Sequence, residues 1–270
     1  MRLTTPPPEQ TEEIHVIRQA EILKAWYSAY DICIQHQEVA GGVAIRSLPQ
    51  LQGKLTRVVG LELQGPFMPQ DLRELEAIYA GIHLQPEVHS CEYADSSVTQ
   101  VLAVAGYFSR GSLSVYCMDL EDSDEQPMAE SSKETTTVRV GEVTSDADRK
   151  RFIAASIAGF ADGGRSEELL SALARIATLR ADTRLYIATN NAGEDHWDCS
   201  VGGYLYLDST VPEYRAMGIH AALIHARLRV ARDMGFWLVT LSTRQGSGSA
   251  KNAEKVGVEM AYRKEVYIKT

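Results

Sequence analysis

The four residues from Arg215 to Gly218 are the ones best suited to bind a charged ligand, because they lead directly into a predicted helix. The first backbone N–H groups of a helix have no intrahelical partner, and the helix dipole places partial positive charge there. Gly218 has no Cβ, so a diphosphate could closely approach the N–H groups of Met217 to Ala221. Arg215 would add a charged, bidentate contact to the phosphate. The segment therefore predicts a diphosphate-binding loop.

The elements on either side of this loop decide between that interpretation and a plainer one, in which Gly218 only ends a turn and Arg215 is solvated. A strand is predicted at Gly203–Thr210, followed by a short turn that contains Pro212. A strongly apolar helix is predicted from Ile219 to about Met234. A strand, a turn and a helix in this order favour the diphosphate-binding loop.

A polar segment from Glu121 to Thr136 divides the chain, because only the three residues Pro127 to Ala129 in it lack a polar or charged side chain. Such a segment cannot bury itself and is typical of an exposed linker. We therefore expect an N-terminal domain over residues 1–120, a linker over 121–136 and a C-terminal domain over 137–270.

Hydrophobic periodicity predicts a mixture of helices and strands in both domains, and hence an α/β (α+β) fold class. In the N-terminal domain the predicted helices are Ala20–Gln37, Asp71–Tyr79 and Ser97–Val104, and the predicted strands are Gly42–Leu48, Leu55–Leu63, Pro86–Tyr93 and Ser112–Leu120. In the C-terminal domain further strands are predicted at Thr137–Val143, Arg184–Thr189, Trp197–Val201, Phe236–Thr243 and Glu259–Lys269, and further helices around Phe152–Phe160, at Glu167–Leu179 and at Ser249–Val256.

A shift of 151 residues brings similar features of the two halves into register. It places Gly106 on Gly257, each after a predicted helix, and Gln64-Gly65-Pro66-Phe67 opposite the loop that starts at Arg215. Either the match is a coincidence, because identity is sparse, or two similarly folded domains lie in tandem. Pro66 supplies no N–H and no arginine stands beside it, so the first half could not hold a diphosphate in the same way.

Charge and composition exclude several classes of function. The formal net charge of −9 and the pI of about 5.3 argue against nucleic acid as a partner. No apolar run reaches the roughly 18–20 residues that span a bilayer, and the N-terminus has no signal-peptide or transit-peptide pattern. We therefore expect no membrane partner and a cytoplasmic location. The four cysteines and seven histidines lack ligand spacing, so no metal is expected.

Around the loop, the sequence resembles the GNAT superfamily of acyl-CoA-dependent N-acyltransferases. Val211–His220 (VPEYRAMGIH) is similar to the family run V-x-P-x-Y-R-G-x-G-I, whose Q/R-x-x-G-x-G/A loop binds coenzyme A pyrophosphate. Ser249–Gly257 (SAKNAEKVG) is similar to the family's N-A-x-x-x-G-F helix end. The resemblance covers roughly Thr137–Thr270 and implies a mixed, mainly antiparallel sheet flanked by helices. With the internal repeat, it implies two tandem copies, of which the first is degenerate.

The resemblance also implies that acetyl-CoA, or another acyl-CoA, is the co-substrate. The N–H groups after Arg215 would bind its pyrophosphate, and the strand edge at Thr210-Val211 would pair with its pantetheine arm. Asn252 would lie near that arm, unless it is only a helix-surface residue. The residues that the resemblance assigns to the acyl-CoA site are Thr210, Val211, Arg215, Ala216, Met217, Gly218, Ile219, His220, Ala221 and Asn252.

Some positions depart from the family pattern. His220 stands where the loop usually ends in Gly or Ala, and Ala216 stands where Gly usually follows the arginine. The tyrosine that often serves as general acid would fall at Ala253, which cannot donate a proton. Tyr262 on the final strand could replace it, although a tyrosine on a strand is more often a packing residue.

The resemblance thus implies an enzyme that moves an acyl group, most simply acetyl, to a primary amine of a small molecule or peptide by direct attack within a ternary complex. Asp208 or Glu213 would take the amine proton, and a backbone N–H on the splayed strand would polarise the carbonyl. Asp208 is the stronger candidate because it lies on the strand that leads to the thioester, although its spacing also fits a surface aspartate. The alternative is a non-catalytic or repurposed CoA-binding regulatory protein.

Overall fold

The computed structural model describes residues 8–26, 34–61, 65–121, 139–189, 195–201, 205–215, 217 and 219–269. The chain forms two compact units. Unit 1 comprises Met1–Val115, Thr243–Gln245 and Ala261–Thr270, and unit 2 comprises Tyr116–Ser242 and Gly246–Met260. The sequence pattern places all of 137–270 in one domain, whereas the last ten residues group with unit 1. The predicted linker lies outside the described residues except at Glu121.

The helices and strands alternate in much the order that the sequence predicts. In chain order they are α1 (Pro8–Trp26), β1 (Gln35–Val39), β2 (Gly42–Arg46), β3 (Arg57–Val59), α2 (Pro69–Ala80), β4 (Val88–Cys91), α3 (Ser96–Val104), β5 (Phe108–Asp119), β6 (Arg139–Glu142), α4 (Asp146–Phe160), α5 (Glu167–Leu179), β7 (Arg184–Thr189), β8 (Asp195–Val201), β9 (Tyr206–Thr210), α6 (Ile219–Asp233), β10 (Leu238–Arg244), α7 (Gly248–Lys255) and β11 (Glu259–Ile268). Within the described part of the chain, no helix is long and apolar enough to cross a bilayer.

Unit 1 is built on a mostly antiparallel sheet. Its hydrogen-bonded strand order is β1-β2-β3-β4-β11-β5, and β3 pairs with β4 in parallel. The apolar faces of α2 and α3 pack in one core with Leu75, Tyr79, Val98 and Leu102 buried. Residues from β11 complete this sheet, which explains why the end of the chain groups with the first half.

Unit 2 contains the four-stranded antiparallel sheet β6-β7-β8-β9 and the strand β10. Its main core gathers the apolar face of α6, which includes Leu223 and Leu228, together with Val239 of β10 and Ala253 of α7. A second core under α4 and α5 is centred on Phe152. These contacts fix α6 and α7 against the strands that precede them.

The predicted helix at Ala20–Gln37 is wrong at both ends. α1 begins at Pro8 and ends at Trp26, and β1 occupies the end of the predicted helix. Ala40 and Gly41 have φ values of 48° and 73° and form the two-residue turn between β1 and β2. Two consecutive positive φ values are typical of the tight turn that matches strand twist in a hairpin. Because β1 is exposed at four of its five residues, no apolar alternation marks it as a strand.

The internal repeat of the sequence is present in the structure. At the end of α3, Gly106 has a φ of 88° and the next N–H bonds to the carbonyl of Leu102 at 2.9 Å. At the end of α7, Gly257 has a φ of 85° and the next N–H bonds to the carbonyl of Ala253 at 3.0 Å. Both are helix ends closed by a left-handed glycine. The order β1-β2-β3-α2-β4-α3-β5 therefore recurs as β7-β8-β9-α6-β10-α7-β11.

Candidate functional site

A bulge in β9 sets the direction of Asp208. Between its paired residues Tyr206 and Ser209, β9 has one residue more than β8 has opposite it. Leu207, inside this stretch, has a φ of 51°. A leucine rarely adopts this left-handed conformation, and an extra residue of this kind locally twists the strand and re-aims its side chains. The bulge therefore decides which way the side chain of Asp208 faces.

In the described residues, no strand pairs with the edge of β9 that faces away from β8. The Leu205 N–H, just before β9, donates to the Thr240 carbonyl of β10 at 2.8 Å. Beyond this hydrogen bond β9 and β10 belong to different sheets. β9 is the last strand of the four-stranded sheet. The equivalent strands of the first half, β3 and β4, pair in parallel from Val58 and Val88 onward. The second half therefore opens a gap between strands that the first half keeps closed.

The start of α6 stands next to the end of β9 along the chain. Ala216 and Gly218 lie outside the described residues, so the predicted close approach at Gly218 is not described. Ile219 is buried in the main core of unit 2, whereas Met217 is exposed. The burial of Ile219 anchors the start of α6. The first N–H groups of this helix have no intrahelical acceptor. These N–H groups at residues 219–222 are the donors that could meet an anion.

Arg215 holds the loop to the rest of unit 2. Its guanidinium donates twice to the Asp162 carboxylate, once to the Gly159 carbonyl at 3.0 Å and once to the Thr210 carbonyl at 3.0 Å. Nε, Nη1 and both hydrogens of Nη2 are used in this way, which leaves one N–H of the guanidinium. The hydrogen bond with Asp162 raises the pKa of Arg215 and lowers the pKa of Asp162. The side chain predicted to contact phosphate therefore has protein partners for most of its donors.

Side chains from β9, α6 and α7 meet in one polar cluster, which we call the Asp208 cluster and which consists of Asp208, His220, Arg227 and Asn252. Asp208 Oδ2 lies 2.7 Å from His220 Nε2 and accepts a hydrogen bond from Arg227 Nη2. Asn252 Nδ2 lies 2.9 Å from His220 Nδ1. Of the predicted site residues, the structure thus brings Asp208, His220 and Asn252 together.

The charge of Asp208 is stabilised inside this cluster. Burial alone would raise the pKa of Asp208, but the positive charge of Arg227 and the contact with His220 outweigh burial and hold the pKa below its usual value. Asp208 is therefore a weak proton acceptor at neutral pH. In the part of the chain that the structure describes, Asp208 Oδ1, His220 Nε2 and Arg227 Nε and Nη1 are buried without a hydrogen-bond partner. The Asp208 cluster can therefore accept a further polar group.

The other two candidate catalytic residues have different surroundings. Glu213 is exposed on the short 3₁₀ turn Pro212–Tyr214. Tyr262 belongs to unit 1, where it is buried with Cys91 and its ring lies 5.8 Å from the ring of Tyr93. Within the described chain, no group of three or more His, Cys, Asp or Glu side chains could hold a metal ion. Among the candidate catalytic residues, Asp208 contacts another predicted site residue, His220.

Arg227 is the cluster residue that the sequence reasoning did not single out. A signal was present, since Arg227 lies three or four residues from Leu223, Ile224 and Ala231 on the apolar face of α6. Its side chain is only 1% exposed. A charge on an apolar helix face requires a buried partner, and the partner is Asp208.

Solved structures of GCN5-related N-acetyltransferases are similar to nearly the whole chain. The protein from Kribbella flavida is 15% identical, with 92% of this chain and 94% of that chain covered and a TM-score of 0.61. The protein from Sphaerobacter thermophilus is 14% identical, with 97% and 93% covered and a TM-score of 0.59. A tandem GNAT protein from the clavulanic acid biosynthesis pathway is 13% identical, with 97% and 96% covered and a TM-score of 0.57. No protein-family profile matches the sequence, and no curated protein matches it significantly.

At these identities the similarity shows the fold. It agrees with the mixed sheet, the flanking helices and the repeat of the strand order. The fold predicted from the loop motif and the internal repeat is thereby confirmed, and the chain has the GNAT fold in tandem.

Proposed function

We propose that this protein transfers an acyl group, in the first instance acetyl, from acyl-CoA to the primary amine of a small molecule or peptide. The observation that carries the proposal is the edge of β9, which no described strand pairs, next to the start of α6. The GNAT fold of its structural neighbours supports an acyltransferase-type activity. The first half closes the equivalent gap between β3 and β4, so we assign the acyl-CoA site to the second half.

The residues present fit an acyl-CoA. In this proposal the N–H groups at Ile219, His220 and Ala221 bind the diphosphate at the positive end of the helix dipole. The edge of β9 at Thr210-Val211 pairs with the pantetheine arm, as an added strand would. Arg215 contributes by fixing the end of β9, since its guanidinium already binds the Thr210 carbonyl. The acyl-CoA supplies the thioester that the amine attacks.

The second candidate function is a CoA-binding protein without transferase activity. Two observations favour it. Ala253, where the family usually has a proton-donating tyrosine, is fully buried in the core. Asn252, assigned to the pantetheine arm by the resemblance, has its side-chain amide bonded to His220 instead.

Two measurements on the full chain separate these functions. Isothermal titration with CoA measures binding, and a thiol-release assay with acetyl-CoA and a panel of primary amines measures transfer. We expect CoA to bind and at least one amine to release thiol well above the rate of hydrolysis. Binding without release by any amine would favour the regulatory function, and absence of binding would exclude both.

A further inference from the structure

The ion pair between Asp208 and Arg227 joins β9 to α6 inside unit 2. Asp208 Oδ2 accepts a hydrogen bond from Arg227 Nη2, and the Arg227 side chain is buried. Arg227 lies seven residues after His220 on α6, or roughly 10 Å along the helix axis. We assign the diphosphate to the start of α6, so Arg227 is buried too far along the helix to be a direct contact. Its partner is instead the strand beside the gap.

The same carboxylate also reaches the first turn of α6. Asp208 Oδ2 lies 2.7 Å from His220 Nε2, and His220 Nδ1 lies 2.9 Å from Asn252 Nδ2 of α7. β9 therefore contacts α6 at two points that are seven residues apart, and the first of them also contacts α7. Two points on a rigid helix fix its position along a strand. The Asp208 cluster thus determines where α6 begins relative to the edge of β9.

Side chains are needed for this purpose because β9 lacks a neighbouring strand on that side. In the first half, β3 pairs with β4 at Val58 and Val88, so backbone hydrogen bonds hold the strand. In the second half, β9 and β10 belong to different sheets, and the described residues form no ladder between them. The position of β9 at the gap therefore depends on side-chain contacts such as those of Asp208.

The internal repeat indicates that the Asp208 cluster accompanies the gap. The shift of 151 residues places the four positions of the cluster on residues of β3, α2 and α3, namely Arg57, Pro69, Glu76 and Val101. Arg57 donates to Glu12, and Glu76 accepts from Tyr107, so each has a different partner within unit 1. Pro69 and Val101 have no polar side-chain group. The half whose strands stay paired therefore does not reproduce the cluster.

We propose that Arg227 and Asp208 are positioning residues of the acyl-CoA site, whose ion pair holds β9 and the start of α6 in the arrangement that acyl-CoA fits. This inference rests on the proposed binding of acyl-CoA. Without the ion pair, the folded protein divides its time among several arrangements of β9 and α6. The apparent affinity for CoA then falls in proportion to the fraction of molecules that have the fitting arrangement.

The test is calorimetric titration of the full chain with CoA after both charges are removed together, in the double variant Asp208→Asn, Arg227→Met. This variant keeps the net charge and leaves no member of the pair as an uncompensated buried charge, so its urea midpoint should stay close to that of the wild type. We expect the Kd for CoA to rise about tenfold or more at unchanged stoichiometry, as for a fitting arrangement populated in about one molecule in ten. Arg227→Lys, which keeps a cation against Asp208, should give a Kd between those of the wild type and the double variant.

Arg229→Met is the matched control, because it removes an exposed positive charge from the same helix. It should change the Kd for CoA less than about threefold, since solvent screens an exposed charge. A wild-type Kd in the double variant, even at reduced stoichiometry, or an equal loss in Arg229→Met, would overturn the inference while CoA binding stands.

Two further results would separate the inference from its neighbours. A double variant as unstable in urea as Arg227→Met alone would show that the pair serves the fold, and the positioning role would be lost. Absence of CoA binding by the wild-type protein would contradict the proposed function itself, and the positioning role would fall with it.

Discussion

At the scale of single residues, the Arg215 side chain links the end of α4 to the end of β9 through hydrogen bonds. Its partners are a carboxylate at Asp162 and the carbonyls of Gly159 and Thr210. These are directed bonds from a rigid planar group, which a lysine cannot reproduce. This link fixes the start of the loop. It thereby positions the N-terminus of α6, which we assign to the diphosphate.

We therefore expect Arg215→Lys and Arg215→Ala to weaken CoA binding to a similar extent and to lower the free energy of unfolding by about 1 kcal/mol each. Calorimetry with CoA and urea unfolding give the two quantities. Asp162→Ala is the matched variant. If Arg215 acts by linking α4 to β9, Asp162→Ala should weaken CoA binding as well. If Arg215 instead contacts the phosphate directly, Asp162→Ala should strengthen CoA binding, because the guanidinium is released. Wild-type affinity in Arg215→Lys would show that charge alone matters.

The sequence was informative about residue types in the loop and less so about their partners. The R-x-x-G pattern located the helix start, because that pattern reflects local backbone geometry. It could not reveal that Asp162, 53 residues earlier, binds Arg215, or that Arg227 binds Asp208, because both contacts depend on tertiary packing. The sequence could not reveal for the same reason that Asp208, predicted as a general base, is a weak proton acceptor. Its ion pairs lower its pKa.

At the scale of elements, α4 packs unusually closely on β9 at Gly159. A Cβ built on Gly159 would lie 2.1 Å from Ser209 Oγ, 2.6 Å from Ser209 Cβ and 3.2 Å from the Thr210 backbone nitrogen. Such distances require the helix or the strand to move. The absence of a side chain at Gly159 thus lets α4 support the strand that carries the bulge.

We expect Gly159→Ala to lower the free energy of unfolding by about 1–3 kcal/mol, although alanine favours a helix over glycine. Because β9 would shift, CoA binding should weaken too. Gly163→Ala, just beyond the same helix, is the control, since a Cβ there meets nothing within 4 Å. Urea unfolding measures both variants, and a Gly159→Ala protein as stable as wild type would contradict the close contact.

Most helices and strands can be predicted from the sequence because their apolar periodicity is strong. β1 cannot be predicted in this way. Glu167–Leu179 and Arg184–Thr189 match their predicted bounds, since Ser166 caps the helix and the strand is a buried apolar run. β1 is an exposed edge strand whose only local sign is the Ala40-Gly41 turn. The bulge at Leu207 carries no sequence signal either, because leucine does not favour that conformation.

At the scale of the whole molecule, the final strand closes the sheet of the first half. β11 pairs with β4, and its Lys264 is fully buried in an ion pair with Glu12 of α1. Burial raises the pKa of Glu12, but the charges of Lys264 and Arg57 outweigh burial and lower it. The sequence placed the last strand with the second half, because hydrophobic patterns identify a strand without identifying its neighbours.

We expect Lys264→Met to lower the free energy of unfolding by about 3 kcal/mol, because it leaves the Glu12 carboxylate buried without its main partner. Lys269→Met is the matched control on the adjoining segment. Lys269 is partly exposed in its pair with Glu76, so its loss should cost less than about 1 kcal/mol. Equal effects in urea unfolding would mean that the end of the chain does not belong to the core of unit 1.

The central claim is that the N–H groups at the start of α6, which have no intrahelical acceptor, bind the diphosphate of an acyl-CoA. Ala222 is exposed in the first turn of that helix, and Ala103 is an exposed alanine in α3 of unit 1. The most direct test is calorimetric CoA binding by Ala222→Glu, with Ala103→Glu as control. A carboxylate in the first turn should weaken CoA binding at least about tenfold through repulsion, while helix stability is kept or slightly raised. Unchanged CoA affinity in Ala222→Glu, or equal weakening in Ala103→Glu, would contradict the claim.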